Sequence, residues 1–123
     1  MLLRKTVQTT LAALMAWFIG GMAHAHPTLE TAVPGQGATV SSPKEIRLTF
    51  TEDLVAKFSG LTLKDQNGQL IETASPSLDP NLRRLLIVPI PKALLPGTYD
   101  VDWHAVSADT HRVSGHFSFK VVQ

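Results

Sequence analysis

From Pro27 onward, apolar and polar residues alternate with a period of two, and Gly or Pro cuts the alternation into short segments. A period of two sends neighbouring side chains to opposite faces of a strand, whereas a helix repeats near 3.6. Residues 45–51 alternate, with Ile46, Leu48 and Phe50 on one face. Residues 61–64 do the same and run into Asp65-Gln66-Asn67-Gly68. Asn-Gly is a strong signal for a tight hairpin, and residues 70–73 form the returning strand. Residues 84–89 contain the continuous apolar run Leu85-Leu86-Ile87-Val88, a core strand. Residues 99–105 alternate with Tyr99, Val101, Trp103 and Ala105 inward, and residues 113–122 with Phe117, Phe119 and Val121 inward. Residues 32–37 read as a turn, 53–58 and 74–81 as loops, and 91–95 as one helical turn before Pro96-Gly97. About seven short strands with frequent turns predict an all-β, Greek-key, Ig-like or cupredoxin-like β-sandwich. A hairpin centred on Thr110 would place His104 opposite His116 and Asp100 opposite Lys120.

The first twenty-five residues follow a different pattern. Arg4 and Lys5 precede the apolar run Leu-Ala-Ala-Leu-Met-Ala-Trp-Phe over 11–18, and Ala23-His24-Ala25 follows. A basic start, a short apolar stretch and an A-x-A site are the parts of a cleavable secretory signal. The apolar run is short for a membrane span. The reading is a cleavable secretory signal peptide over 1–25 and one exported domain over 26–123. Cutting after Ala25 exposes His26 as the first residue, with a free amine beside its ring. A cut after Ala23 satisfies the small-residue rule less well and would expose His24.

Charge and composition narrow the chemistry. Removing Arg4 and Lys5 takes the formal charge from +1 to −1. That leaves no basic stripe for a phosphate backbone, so nucleic acid is not an expected partner. The chain has no Cys. Disulfides, thiolate metal sites and cysteine nucleophiles are excluded. Its three methionines, Met1, Met15 and Met22, all lie in the signal segment.

The stretch Ser107-Ala108-Asp109-Thr110-His111-Arg112-Val113-Ser114-Gly115-His116 concentrates the remaining chemistry. In extended chain Asp109 and His111 point to the same side. Taken singly, Asp109 is a turn residue and His111 a surface imidazole. Ser107, Asp109 and His111 do not make a hydrolytic triad, which needs the imidazole between nucleophile and acid. Paired with an exposed N-terminal His26, the stretch supplies amine, imidazole and carboxylate. That donor set suits Cu(II) in a tetragonal field, and the missing Cys and Met are the soft ligands that hold Cu(I).

The mature segment resembles the CopC family of periplasmic copper-binding proteins, its YobA-type members included. The matching residues are His26-Pro27, Leu48-Thr49-Phe50-Thr51-Glu52, Pro96-Gly97-Thr98-Tyr99, and Trp103-His104-x-Val106-Ser107-x-Asp109-x-His111 leading to Gly115-His116-Phe117. The resemblance implies a Greek-key β-sandwich and a role in copper homeostasis or resistance. It implies one Cu(II) ion held by the His26 amine and ring, Asp109 and His111. Glu52, His104 and His116 would stand behind these ligands. A CopD-like inner-membrane transporter is the implied partner of a monomeric, non-enzymatic carrier. Many members have Gly where this chain has Thr110, and the Met-rich Cu(I) site of some members is missing. Two other readings share parts of this pattern. One is a copper monooxygenase-like enzyme with an N-terminal His chelate; the other is an Ig-like interaction module without metal.

Overall fold

The computed structural model describes residues 26–123; the signal peptide expected over 1–25 lies outside the described residues, as do both candidate cleavage sites. Nine strands follow in order: β1 (Leu29–Val33), β2 (Thr39–Ser41), β3 (Glu45–Phe50), β4 (Gly60–Asp65), β5 (Leu70–Ile71), β6 (Ser77–Asp79), β7 (Leu82–Pro89), β8 (Gly97–Val106) and β9 (Arg112–Val122). They form a four-stranded sheet, β1-β3-β7-β6, and a five-stranded sheet, β2-β9-β8-β4-β5. The sheets enclose a core made by the alternating residues: Ile46, Leu48 and Phe50 from β3, Leu86 and Val88 from β7, Val101 from β8, and Phe119 from β9. These side chains are almost wholly out of water, each contributing roughly 1.5–3 kcal/mol of transfer free energy. The all-β sandwich expected from the alternation is present.

Local chemistry explains the turns. At the Asn67-Gly68 hairpin, Gly68 adopts φ +76°, a conformation that costs glycine little, and Asp65 Oδ1 accepts the backbone N–H groups of Asn67 and Gln69. Within β9, Gly115 lies under the Trp103 ring; a Cβ there would overlap the indole. Trp103 in turn meets Phe50 edge-on at 5.3 Å, joining the two sheets.

Three expectations are corrected. Residues 74–81 contain a short edge strand, β6, because Leu78 packs against the core and pairs with Leu86; Pro76 and Pro80 are tolerated outside it. Residues 91–95 form no helical turn: Leu94 is buried, and its N–H donates to Ser42 Oγ at 2.7 Å instead of to a carbonyl one turn back. The β8–β9 hairpin centres on Asp109, not Thr110. Thr110 N–H donates to Ser107 O and Ser107 N–H to His111 O, closing a tighter loop. His104 therefore faces Ser114, His116 faces Asp102, and Asp100 faces Ser118. The register moves by an even step, so every side chain keeps its face while its partner changes. The single helical turn among the described residues, Ala56–Phe58, lies in the 53–58 segment read as loop.

Candidate metal centre

The site is assembled from two chain segments in different sheets. The first is the arm that leads into β1. Pro27 is fully buried, and it has no N–H to leave unsatisfied there. Thr28 N–H donates to Thr51 Oγ1, and Thr51 N–H donates to Thr28 O, both at 3.0 Å. These bonds extend the β1–β3 ladder by one step and pin the arm to the end of β3. His26 is left exposed just beyond this anchor.

The second segment is the loop between β8 and β9. Its base is tied to the 53–55 segment: Ala108 N–H donates to Asp53 O, and Val55 N–H to Val106 O. Ser107 is buried at 1% exposure. Its hydroxyl donates to Asp109 Oδ1 and accepts His111 N–H at 3.2 Å. Thr110 sits in the left-handed region at φ +74°. That conformation is a genuine outlier for a β-branched residue and persists only where neighbouring contacts impose it. Here those contacts are the two backbone bonds that close the loop.

The two segments meet through their imidazoles. The rings of His26 and His111 pack edge to face with centroids 5.0 Å apart and an interplanar angle of 84°. Asp109 Oδ1 lies 2.9 Å from His111 Nδ1. Hydrogen bonding from the Ser107 hydroxyl, and then from His111, lowers the Asp109 pKa to about 2. The carboxylate is thus an anion at any physiological pH. Two nitrogen or oxygen donors at about 2.0 Å from one ion and at right angles to each other stand about 2.8 Å apart. The 2.9 Å separation of Nδ1 and Oδ1 fits such an edge. Among the described residues, no group of three or more His, Asp or Glu side chains is already gathered for an ion. The fit therefore rests on donor type and on this one edge.

The other expected residues lie elsewhere. Glu52 lines a cleft of about 360 Å³ with Thr51, Asp53, Ser107, Ala108 and Asp109, so it borders the loop. His104 and His116 occupy the outward-facing positions of β8 and β9. The His104 ring lies over Gly60, with Cε1 3.4 Å from where a Cβ would stand. His116 Nε2 lies 3.5 Å from Asp100 Oδ1, and Asp100 also accepts the Ser118 hydroxyl at 2.6 Å. The structure sets the His26 ring and the Asp109 carboxylate each against His111, and leaves His104 and His116 on the open sheet face. Sequence reasoning weighed Ser107 as a nucleophile and named it and Thr51 among the residues of the resemblance, but gave neither a part in placing the site. The i, i+2, i+4 series Ser107, Asp109, His111 was the available signal for the first. Thr51 carried none, because its partner Thr28 is distant in the chain.

Comparison with known proteins shows the family. Residues 29–122 match the CopC domain family. Copper resistance protein C of Escherichia coli is 41% identical over 105 residues, covering 80% of this chain and 83% of that protein. Protein YobA of Escherichia coli K12 is 34% identical over 118 residues, covering 95% of each. The crystal structure of PcoC, a methionine-rich copper resistance protein from Escherichia coli, superposes with a TM-score of 0.71 at 33% identity, covering 80% of this chain and all of that one. With a family match across nearly all of the described residues and relatives this similar along most of their length, the chain belongs to the CopC family.

Proposed function

We propose that this protein is a periplasmic carrier that binds one Cu(II) ion and serves copper resistance or homeostasis. The relatives named copper resistance protein C support the copper role. The observation that carries the site assignment is the contact between the His26 and His111 rings across the two sheets, with Asp109 at 2.9 Å from His111. Export and cleavage after Ala25 would add the His26 amine to this set. The ion would then be held by that amine, the two imidazoles and the carboxylate, in the tetragonal field that Cu(II) prefers. PcoC is described as methionine-rich; here no methionine follows Met22. The soft donors that would retain Cu(I) are missing from the mature chain, so the oxidised ion is its cargo.

The protein works by binding and release. Asp109 would fill a coordination position that a reacting oxygen molecule would need, unlike a catalytic copper centre with an open position. Release to a CopD-like inner-membrane transporter is the natural outlet for a carrier with the site at one exposed end. The test is a Cu(II) titration of protein that begins at His26. One equivalent is expected to bind. His26→Ala, His111→Ala and a single residue added before His26 are each expected to abolish tight binding. Unchanged affinity in all three would refute the assignment.

A further inference from the structure

The loop that carries Asp109 and His111 is organised by a side chain that is almost wholly out of solvent. Ser107 directly follows β8 at 1% exposure, against Leu54, its partner in an isolated bridge. Its hydroxyl has one proton, and burial denies it water as an acceptor. The proton goes to Asp109 Oδ1, while the oxygen takes the His111 N–H at 3.2 Å. One atom therefore fixes the carboxylate rotamer and the backbone of the imidazole two residues on. Without it, the exposed Asp109 carboxylate keeps only its contacts with His111, the ring Nδ1 at 2.9 Å and the N–H at 3.5 Å, and loses its tie to the buried end of the loop. We propose that Ser107 is a positioning residue for the copper site: its buried hydroxyl holds the Asp109 carboxylate and the His111 backbone in the geometry that receives the ion.

This rests on the copper function proposed above. A group that orients a metal ligand typically changes affinity by about 10–100-fold when removed. Because the hydroxyl is preorganised before metal arrives, its loss should also broaden the range of copper geometries. The same substitution costs some stability, since it removes the closer of the two acceptors of the His111 N–H, leaving Asp109 Oδ1 at 3.5 Å. Stability alone cannot identify the role.

The experiment uses mature protein beginning at His26 in five forms: wild type, Ser107→Ala, Ser107→Thr, His111→Ala, and Val121→Ala. The last truncates a buried residue paired with Gly97 at the other end of the hairpin. Cu(II) affinity is read by chelator competition, the coordination by electron paramagnetic resonance, and folding by thermal melting. Ser107→Ala is expected to bind copper about 10-fold or more weakly, with a broadened spectrum. Ser107→Thr, which keeps a hydroxyl, is expected to recover the wild-type spectrum. Val121→Ala is expected to melt lower and bind normally. If His111→Ala loses copper while Ser107→Ala keeps both the affinity and the spectrum of wild type, the positioning role is overturned and the copper site stands. If His111→Ala binds as tightly as wild type, the copper assignment falls, and the role of Ser107 falls with it.

Discussion

Two pairs of histidines look alike in the sequence and end in different places. His26 and His111 come from opposite ends of the described chain and touch, ring to ring, at 5.0 Å. His104 and His116 lie on adjacent strands of one sheet, yet each has its own neighbours: Gly60 beneath the first, Asp100 beside the second. The difference follows from strand parity and topology. His111 stands just before β9 at the odd-numbered parity of Val113, Phe117 and Phe119, and is half-buried at the end of the sandwich. His104 and His116 have the even parity that faces out. β1 carries His26 to the same end from the other sheet. A site that spans two sheets gains ligands whose separation the fold sets, whereas a site on one open face depends on mobile side chains.

The sharpest test of this comparison is a matched set of alanine variants. His26→Ala and His111→Ala are each expected to weaken Cu(II) binding by more than about 100-fold, beyond what loss of an outlying support produces. His104→Ala and His116→Ala are expected to change it by less than about 3-fold. Isothermal titration with a competing chelator measures all four. Equal losses in the two pairs would erase the distinction.

A smaller effect is expected at the anchor of the arm. Thr51→Val removes the acceptor for Thr28 N–H while keeping the shape of the side chain. It should lower copper affinity several-fold and stability by about 1 kcal/mol, read by competition titration and by urea unfolding. Affinity equal to wild type would mean that His26 does not depend on the arm for its placement.

Much of the fold was legible because the core strands are unambiguous. Ile46, Leu48 and Phe50 alternate cleanly, as do Tyr99, Val101, Phe117 and Phe119, and all are buried. The edge strand β6 was hidden because only Leu78 in it contacts the core, too little to make a pattern. The hairpin register was missed by two residues because turn geometry decides it. Nothing in the residue types announced that Thr110 would take a left-handed conformation and pull the centre to Asp109. Of the site, Asp109 and His111 could be named from their spacing, but the contact of the His111 ring with His26 needed the β1–β3 pairing. Ser107 escaped because its value lies in burial, which a polar residue near a turn does not advertise.

Thr110 offers a further, gentler probe of the loop. A left-handed residue with a Cβ costs about 1–2 kcal/mol, and glycine avoids that at an entropic cost of about 0.5–1 kcal/mol. Thr110→Gly is therefore expected to stabilise the metal-free protein by up to about 1 kcal/mol, measured by chemical denaturation. A loss of stability would show that the threonine side chain makes contacts that outweigh the strain.

The least effect expected is on acid stability. The Asp109 pKa is about 2 in the folded chain, below its ordinary 3.8. A lowered carboxylate pKa stabilises the fold above the unfolded value, and the contribution disappears as pH falls through the folded one. The melting-temperature gap between wild type and Asp109→Asn should be present at pH 5 and should close as pH approaches 2. The carboxylate is exposed, so solvent screening keeps this gap small. A gap that stays constant over the whole range would assign it to packing instead of charge.

The central claim is that one copper ion is held between the two sheets by His26 and His111. Pulsed electron paramagnetic resonance of the protein beginning at His26, loaded with one equivalent of Cu(II), reads the number of coordinated imidazoles directly. Two are expected in wild type and in the double variant His104→Ala/His116→Ala, and one in His111→Ala. Two imidazoles that persist in His111→Ala, or that vanish in the double variant, would contradict the claim.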